Sequence, residues 1–105
     1  RLAKKYSHID MGLTIALLKG HGFSLELFEF KKHKVLSGYR KTLDSDLRTV
    51  GVKHFSIEVP DIQGIYNRFR KARVRFATAL RVFDNKKRYF FIKDPDNNLV
   101  EVMEN

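Results

Sequence analysis

The sequence contains no cysteine and no apolar run near the ~18 residues that a membrane helix needs. Disulfides, thiolate metal sites and cysteine nucleophiles are therefore excluded, and any metal must be bound by histidine, carboxylate or amide groups. The absence of cysteine also fits a reducing compartment, and the first residues lead into no apolar signal core. We therefore expect a cytoplasmic protein without a membrane anchor.

The chain has 105 residues, which is enough for one small domain and too few for two ordinary ones. Its hydrophobic share of 43% predicts a folded core. Lysine and arginine number 21 against 12 acidic residues, which gives a net charge of +9. This excess indicates an anionic partner, either a nucleic acid or a phosphorylated or carboxylated small molecule, or else simply a solvated charged surface.

The basic residues fall into clusters at residues 31–34, 68–75 and 86–88, the last of them beside the aromatic residues 89–91. Basic clusters next to aromatic side chains make nucleic-acid binding an alternative. However, cations are expected at a helix C-terminus from its dipole, and these clusters fall at the ends of elements rather than in one stripe. We therefore favour a small anion over a nucleic acid.

The first part of the chain carries two β-like runs, residues 11–18 and 23–30, on either side of a short loop that contains glycine. This arrangement predicts a β-hairpin. Residues 31–51 are polar and irregular, and they predict a connector with at most one short helical turn.

The second part of the chain predicts the order β-α-β-β-β. Residues 53–59 alternate between apolar and polar, as a strand with two different faces does. Asp61 is a candidate N-cap for a helix that continues to about residue 72. Strands are predicted at residues 74–78, 88–93 and 99–103, and residues 94–98 have the composition of a turn. On the first strand, the apolar face consists of Phe55, Ile57 and Val59, and the polar face of His54, Ser56 and Glu58.

Two carboxylates lie in the middle of predicted strands with apolar neighbours. Glu101 shares its strand face with Leu99 and Met103, and residues 24–30 around Glu26 align with residues 99–105, which hints at an internal repeat. A carboxylate on such a face is costly to bury unless it is paired, protonated or bound to a metal. The alternative is a strand face that stays partly solvated.

His54 is either one residue of a solvated polar row or a metal ligand. Imidazole together with carboxylates suits a divalent ion such as Zn, Ni, Co, Fe or Mn. The other histidines, His8, His21 and His33, lie in polar or glycine-flanked stretches and are predicted to be on the surface. The sequence shows no Ser-His-Asp signature, no glycine-rich phosphate loop and no HExxH motif.

Residues 52–62 together with residues 88–102 resemble the vicinal oxygen chelate superfamily, which includes glyoxalase I, bleomycin-resistance proteins, fosfomycin-resistance enzymes, extradiol dioxygenases and methylmalonyl-CoA epimerase. The strand histidine, the turn and the closing glutamate carry this resemblance. It implies an α+β fold in which paired βαβββ modules form a cupped mixed sheet around a divalent metal. It covers residues 52–104 well and residues 11–30 loosely.

The resemblance implies a single glyoxalase-like domain over residues 1–105. Residues 1–34 would be the remainder of the first module, residues 35–51 the connector, and residues 52–105 a complete second module. The first strand and helix of the first module are then missing, and the ligand that accompanies Glu26 would lie before Arg1. The chain also lacks an initiator methionine, so either it is an N-terminally truncated fragment or the site is completed in another way.

By the same resemblance, His54 and Glu101 are metal ligands of the second module, and Glu26 is the last-strand ligand of the first. Two carboxylates with a histidine are similar to glyoxalase I, in which a metal polarises the substrate oxygens and a carboxylate moves a proton through an ene-diolate. Glu101 is the predicted proton-moving carboxylate, and Glu26 is the other candidate. The implied protein is a homodimeric lyase for a small anionic substrate with vicinal oxygens.

Two other members of the superfamily remain alternatives. One is a non-catalytic protein that sequesters a small drug-like molecule, as bleomycin-resistance proteins do. The other is a ring-cleaving dioxygenase, which uses two histidines and one glutamate and would leave Glu26 without a ligand role.

The sequence departs from the family pattern at Arg73 and Asn97, where the family usually has glycine. Asn97 replaces glycine in the predicted turn, and Arg73 is strained only if its position needs a left-handed backbone conformation. Asparagine tolerates this conformation with little strain, whereas an arginine costs about 1 kcal/mol.

Overall fold

A computed structural model describes residues 2–8, 12–33 and 42–105, with only the backbone described for residues 2–8. Met11, the first residue of the predicted hairpin, and residues 34–41 of the predicted connector lie outside these ranges. The chain divides into two compact units, Arg1–Leu36 and Ser37–Asn105. Within the described ranges, no helix is long and apolar enough to span a bilayer.

The first unit contains a three-stranded antiparallel sheet of strands β1 (Leu2–His8), β2 (Leu13–Gly20) and β3 (Phe23–Phe30), in that order. Strands β2 and β3 confirm the predicted hairpin. The connection is tighter than the sequence suggested, because the strands continue to Gly20 and resume at Phe23. Gly22 in this turn has a φ of 79°, which glycine adopts without strain.

Strand β1 is the element of this unit that the sequence did not predict. Its register against β2 shifts between Leu2 and Lys4 and is continuous from Lys4 to His8. Its sequence, LAKKYSH, does not alternate between apolar and polar residues, so it lacks the period-two pattern by which a strand is recognised.

The second unit begins with a short helix and then forms a mixed sheet with one longer helix. The elements are α1 (Leu43–Arg48), β4 (His54–Val59), α2 (Ile62–Lys71), β5 (Arg75–Phe76), β6 (Arg81–Val82), β7 (Arg88–Lys93) and β8 (Leu99–Glu104). The strand order is β4-β8-β7-β5, and β6 also pairs with β7. Strands β4 and β8 are parallel, and the other pairs are antiparallel. The α+β class and the order β-α-β-β-β are thus confirmed.

The predicted strand at residues 74–78 is shorter than expected, and β6 was not predicted. The backbone leaves regular pairing after Phe76, because the Thr78 hydroxyl accepts the hydrogen bond of the Phe91 N–H at 3.0 Å. A side chain thus replaces a backbone carbonyl in the ladder, and β5 ends there. Strand β6 has only two residues, which is too short for a periodic signal.

The core of the second unit lies between helix α2 and one face of the sheet. Phe90 is fully buried at its centre, and Ile62 and Val102 are buried with it. The ring of Phe90 lies 5.2 Å from Tyr66 and 5.4 Å from Phe76, measured between ring centroids. These aromatic contacts add directional packing to the hydrophobic burial.

The face of the sheet opposite α2 holds the residues that the sequence singled out, and we call it the site face. Side chains alternate along each strand, so the residues between those of the core point to this second face. On β4, β7 and β8, it comprises His54, Ser56, Glu58, Tyr89, Phe91, Lys93, Leu99, Glu101 and Met103.

Helix α2 begins as the sequence predicted. The Asp61 carboxylate accepts a hydrogen bond from the Gly64 N–H at 3.0 Å, which satisfies a donor that the helix leaves free. A Cβ atom on Gly64 would lie 2.2 Å from this carboxylate, so a side chain there would require the carboxylate to shift. The helix ends before Arg73, whose φ of 58° is left-handed, so the strain expected of an arginine in this conformation applies.

The turn between β7 and β8 is also confirmed. The Asp94 carboxylate accepts hydrogen bonds from the N–H groups of Asp96 and Asn98, at 2.9 and 2.8 Å. Asn97 has a φ of 67°, which asparagine tolerates with little strain, and its side-chain oxygen accepts a hydrogen bond from Arg75. The turn thus places the start of β8 firmly beside the end of β7.

An ion pair between Arg88 and Glu104 joins β7 to β8 and predicts a pH-dependent stability. The Arg88 guanidinium donates to both carboxylate oxygens, at 2.9 and 3.2 Å, and the Arg88 N–H donates at 2.9 Å. These hydrogen bonds and the positive charge lower the pKa of Glu104 from 4.5 to about 2. A lowered pKa stabilises the fold above the pKa of the unfolded chain, and this contribution is lost as the pH falls towards about 2.

Glu104→Gln is therefore expected to lower the urea midpoint at neutral pH and to match the wild-type protein near pH 2. The measurement is urea unfolding at both pH values. Glu58→Gln serves as the control, because Glu58 is exposed and has no ion-pair partner in the described part of the chain. A Glu104→Gln deficit that does not change with pH would contradict this prediction.

Candidate functional site

His54 and Glu101 meet on the site face although they lie far apart in sequence. Strands β4 and β8 run parallel, with His54 opposite Leu99 and Ser56 opposite Glu101. This register places His54 diagonally next to Glu101, and the distance between His54 Nε2 and Glu101 Oε1 is 3.4 Å. The Glu101 side chain is 8% exposed and that of His54 is 29% exposed, so solvent reaches the pair from the histidine side.

Ser56 fixes the orientation of the Glu101 carboxylate. Its hydroxyl donates a hydrogen bond of 2.7 Å to Oε1, the same oxygen that faces His54. The sequence placed Ser56 on the face of His54 but did not predict this contact. The shared face was a usable signal, whereas the contact depends on the register between β4 and β8, which no local pattern in the sequence specifies.

Apolar side chains surround this polar group. The Phe91 ring meets the His54 ring edge to face, with centroids 5.0 Å apart and an interplanar angle of 78°. Phe91 lies opposite Glu101 across the β7–β8 pair, and both Phe91 and Leu99 are buried. The carboxylate therefore lies in a low-dielectric environment in which an imidazole or a cation interacts with it more strongly than in water.

Glu26 lies on β3 in the first unit, opposite Leu17 of β2, and its side chain is exposed. Its role as a ligand stays a prediction. His21 and His33 are exposed, as expected for surface histidines, and His33 Nδ1 lies 3.0 Å from the Phe30 carbonyl oxygen. The side chain of His8 lies outside the described residues.

The donors of the second unit are compatible with a divalent metal. His54 contributes a neutral imidazole nitrogen and Glu101 a nearly buried carboxylate oxygen, and the two atoms face each other. This donor set suits Zn, Ni, Co, Fe or Mn. Within the described ranges, no group of three or more histidine, aspartate or glutamate side chains lies close enough together to hold a metal. His54 and Glu101 therefore fit a metal as two of its ligands.

Solved structures show where this fold occurs. A glyoxalase family protein from Enterococcus faecalis is 21% identical, with a TM-score of 0.77 over 98% of this chain and 76% of that chain. A single-residue variant of glyoxalase I from Zea mays is 20% identical, with a TM-score of 0.76 over 98% of this chain and 35% of that chain. The trypanothione-dependent glyoxalase I of Leishmania major is 20% identical, with a TM-score of 0.64 over 99% of this chain and 68% of that chain.

At these identities the likeness establishes the fold alone. A search of the curated proteins gives no match. The family model described as Glyoxalase/Bleomycin resistance protein/Dioxygenase superfamily matches residues 1–102, which is nearly the whole chain. The strand histidine, the Asp94–Asn98 turn and the closing glutamate agree with this match, and the chain belongs to the glyoxalase/bleomycin resistance/dioxygenase superfamily.

Proposed function

We propose that this protein is a divalent-metal-dependent lyase similar to glyoxalase I, acting on a small anionic substrate with vicinal oxygens. The observation that carries the proposal is the 3.4 Å approach of His54 Nε2 to the nearly buried Glu101 carboxylate, which Ser56 holds in place. Structural likeness to proteins named glyoxalase I supports it.

The proposed metal ligands are His54, Glu101 and Glu26. The first two already face each other, and Glu26 is included because its strand resembles the strand of Glu101 in sequence. When bound, a divalent cation would polarise the substrate oxygens and so acidify the neighbouring C–H group. The step proposed for the protein side chains, as distinct from the metal, is proton transfer.

Glu101 is the proposed base. For a thiol-conjugated 2-oxoaldehyde (a hemithioacetal), its carboxylate takes the proton from the carbon that bears the sulfur and returns it to the adjacent carbonyl carbon, while the hydroxyl proton of the first carbon passes to the carbonyl oxygen of the second. The product is an isomer of the substrate, so no oxidant or reductant is needed. The Ser56 hydroxyl orients the carboxylate through Oε1, and the edge contact with Phe91 limits rotation of the His54 ring. Positioned carboxylates of this kind accelerate proton transfer by about 10²–10⁴-fold.

Charge and apolar surface support the rest of the proposal. A net charge of +9 attracts an anionic substrate. We propose a homodimer, because no strand within the described residues pairs with the outer edge of β4, and the side chains of Phe55 and Ile57 on that strand are exposed. We place the protein in the cytoplasm because it lacks cysteine.

Metal binding tests this function directly. The full chain is loaded with Zn²⁺ or Ni²⁺, desalted, and measured for metal content by plasma mass spectrometry. We expect the wild-type protein to retain metal. His54→Ala should lose it, because that variant removes the only nitrogen donor of the proposed set.

His21→Ala is the matched control, since His21 is exposed in the β2–β3 turn and is not one of the proposed ligands. Equal metal retention by His54→Ala and the wild-type protein would contradict the proposed ligands. Absence of metal together with saturable binding of a small molecule would favour the non-catalytic, drug-sequestering alternative.

A further inference from the structure

We propose that the second unit has a second ligand site, a groove beside helix α2 that binds a small aromatic molecule carrying one oxyanion group. The groove has a volume of 510 Å³ and is lined by Tyr66, Arg70, Phe76, Thr78, Arg81 and two alanines. This volume lies within the range of about 300–1,000 Å³ that is typical of small-molecule sites. The groove is independent of the proposed lyase function.

The groove lies on the opposite side of the sheet from His54 and Glu101. Tyr66 and Phe76 pack against Phe90, which belongs to the core on the helix side. Glu101 belongs to the site face, because it neighbours Val102 on β8 and successive side chains alternate. A ligand in the groove therefore does not reach the candidate metal ligands.

The positive charge of the groove is not neutralised by the protein. Arg70 and Arg81 both line it, and no carboxylate is among its lining residues. Neither guanidinium has an ion-pair partner in the described part of the chain. Two unpaired guanidinium groups at one concave surface favour an anion from solution, since arginine binds carboxylate and phosphate through two parallel hydrogen bonds.

The remaining lining is aromatic and held in place. The Arg70 guanidinium lies 5.9 Å from the centroid of the Tyr66 ring. This cation–π contact holds the guanidinium beside a ring that lines the groove. The Thr78 hydroxyl accepts a hydrogen bond from the Phe91 N–H and donates one to the Ala79 carbonyl oxygen. The segment around Thr78 that lines the groove is therefore hydrogen-bonded to β7. The Phe76 ring and the two alanine methyl groups offer an apolar surface to a flat molecule.

The probe is 2-naphthoate, titrated into the ¹⁵N-labelled full chain and followed by NMR. We expect saturable shifts of the amide signals of Ala77, Thr78 and Ala79, with a Kd at or below about 1 mM. Arg70→Gln and Arg81→Gln should each raise the Kd by about tenfold or more, because a charge-assisted hydrogen bond is lost.

Arg68→Gln is the matched control. It removes the same charge from the same last turn of α2, but Arg68 does not line the groove, so its Kd should match that of the wild-type protein. The neutral analogue 2-naphthamide should bind more weakly than 2-naphthoate. A parallel titration with 2-naphthyl phosphate decides whether the physiological oxyanion is a carboxylate or a phosphate.

Three results would overturn the proposal: no saturable shift with a folded protein, shifts centred on His54 and Glu101, or an equal loss of affinity in Arg68→Gln. Unchanged amide spectra away from the groove establish that each variant is folded. Because the readout is binding at residues 77–79, this test can fail or succeed whatever the metal experiment shows.

Discussion

Phe90→Ala is expected to lower the free energy of unfolding by about 3–5 kcal/mol. Phe90 is fully buried between helix α2 and the sheet, and its ring contacts those of Tyr66, Phe69 and Phe76. Truncation removes the largest fully buried side chain among the described residues of the unit and leaves a cavity that the surrounding aromatic rings cannot fill. Since small domains are stable by only about 5–15 kcal/mol, the variant should be largely unfolded at moderate urea concentrations.

Urea unfolding followed by circular dichroism measures this loss. Phe23→Ala is the matched control, because it makes the same truncation on β3 at a residue that is 61% exposed. A surface change of this kind usually alters stability by less than about 0.5 kcal/mol. Similar midpoints for the two variants would show that the core does not lie around Phe90.

Glu101→Gln is expected to reduce lyase turnover by about 10²–10⁴-fold while the protein stays folded. Glutamine has nearly the same shape as glutamate and still accepts the hydrogen bond from the Ser56 hydroxyl. It cannot take up a proton, however, and it is a weaker metal ligand than a carboxylate. The measurement is steady-state turnover of a thiol-conjugated 2-oxoaldehyde by the metal-loaded protein.

Glu58→Gln makes the same change on the same site face at an exposed position, so it should keep wild-type turnover. Glu26→Gln separates the two carboxylates that the sequence proposed as the base. A small effect of Glu101→Gln beside a large effect of Glu26→Gln would assign proton transfer to Glu26 and contradict our choice.

The sequence predicted those elements of the fold whose patterns are local. Residues 53–59 alternate strictly and form β4, and the Asp61 cap and the helical spacing after it form α2. Strands β1 and β6 were missed for two different physical reasons. The sequence of β1 does not alternate between apolar and polar residues, and β6 has only two residues, so it exists only through its pairing with β7.

The candidate site likewise contains residues that the sequence singled out and residues that it did not. His54 and Glu101 were found because a histidine and a glutamate at these places in a strand–turn–strand pattern resemble a known superfamily. Ser56 and Phe91 were not found, because their contacts depend on how β4, β8 and β7 align. An internal repeat drew attention to Glu26, but a similarity of a few residues carries no information about distances.

The position of β8 in the sheet has a consequence for how the chain folds. Strand β8 is made after every other strand of the second unit, yet it lies between β4 and β7. Its contact with β4 spans 45 positions, as the Ser56–Glu101 hydrogen bond shows. Closing so long a loop is slow, because its entropy is lost before the strand pairing compensates for it. During synthesis, β4 therefore has no neighbouring strand until residues 99–104 are made, and the edge of β7 that pairs with β8 stays unpaired and prone to aggregation until then.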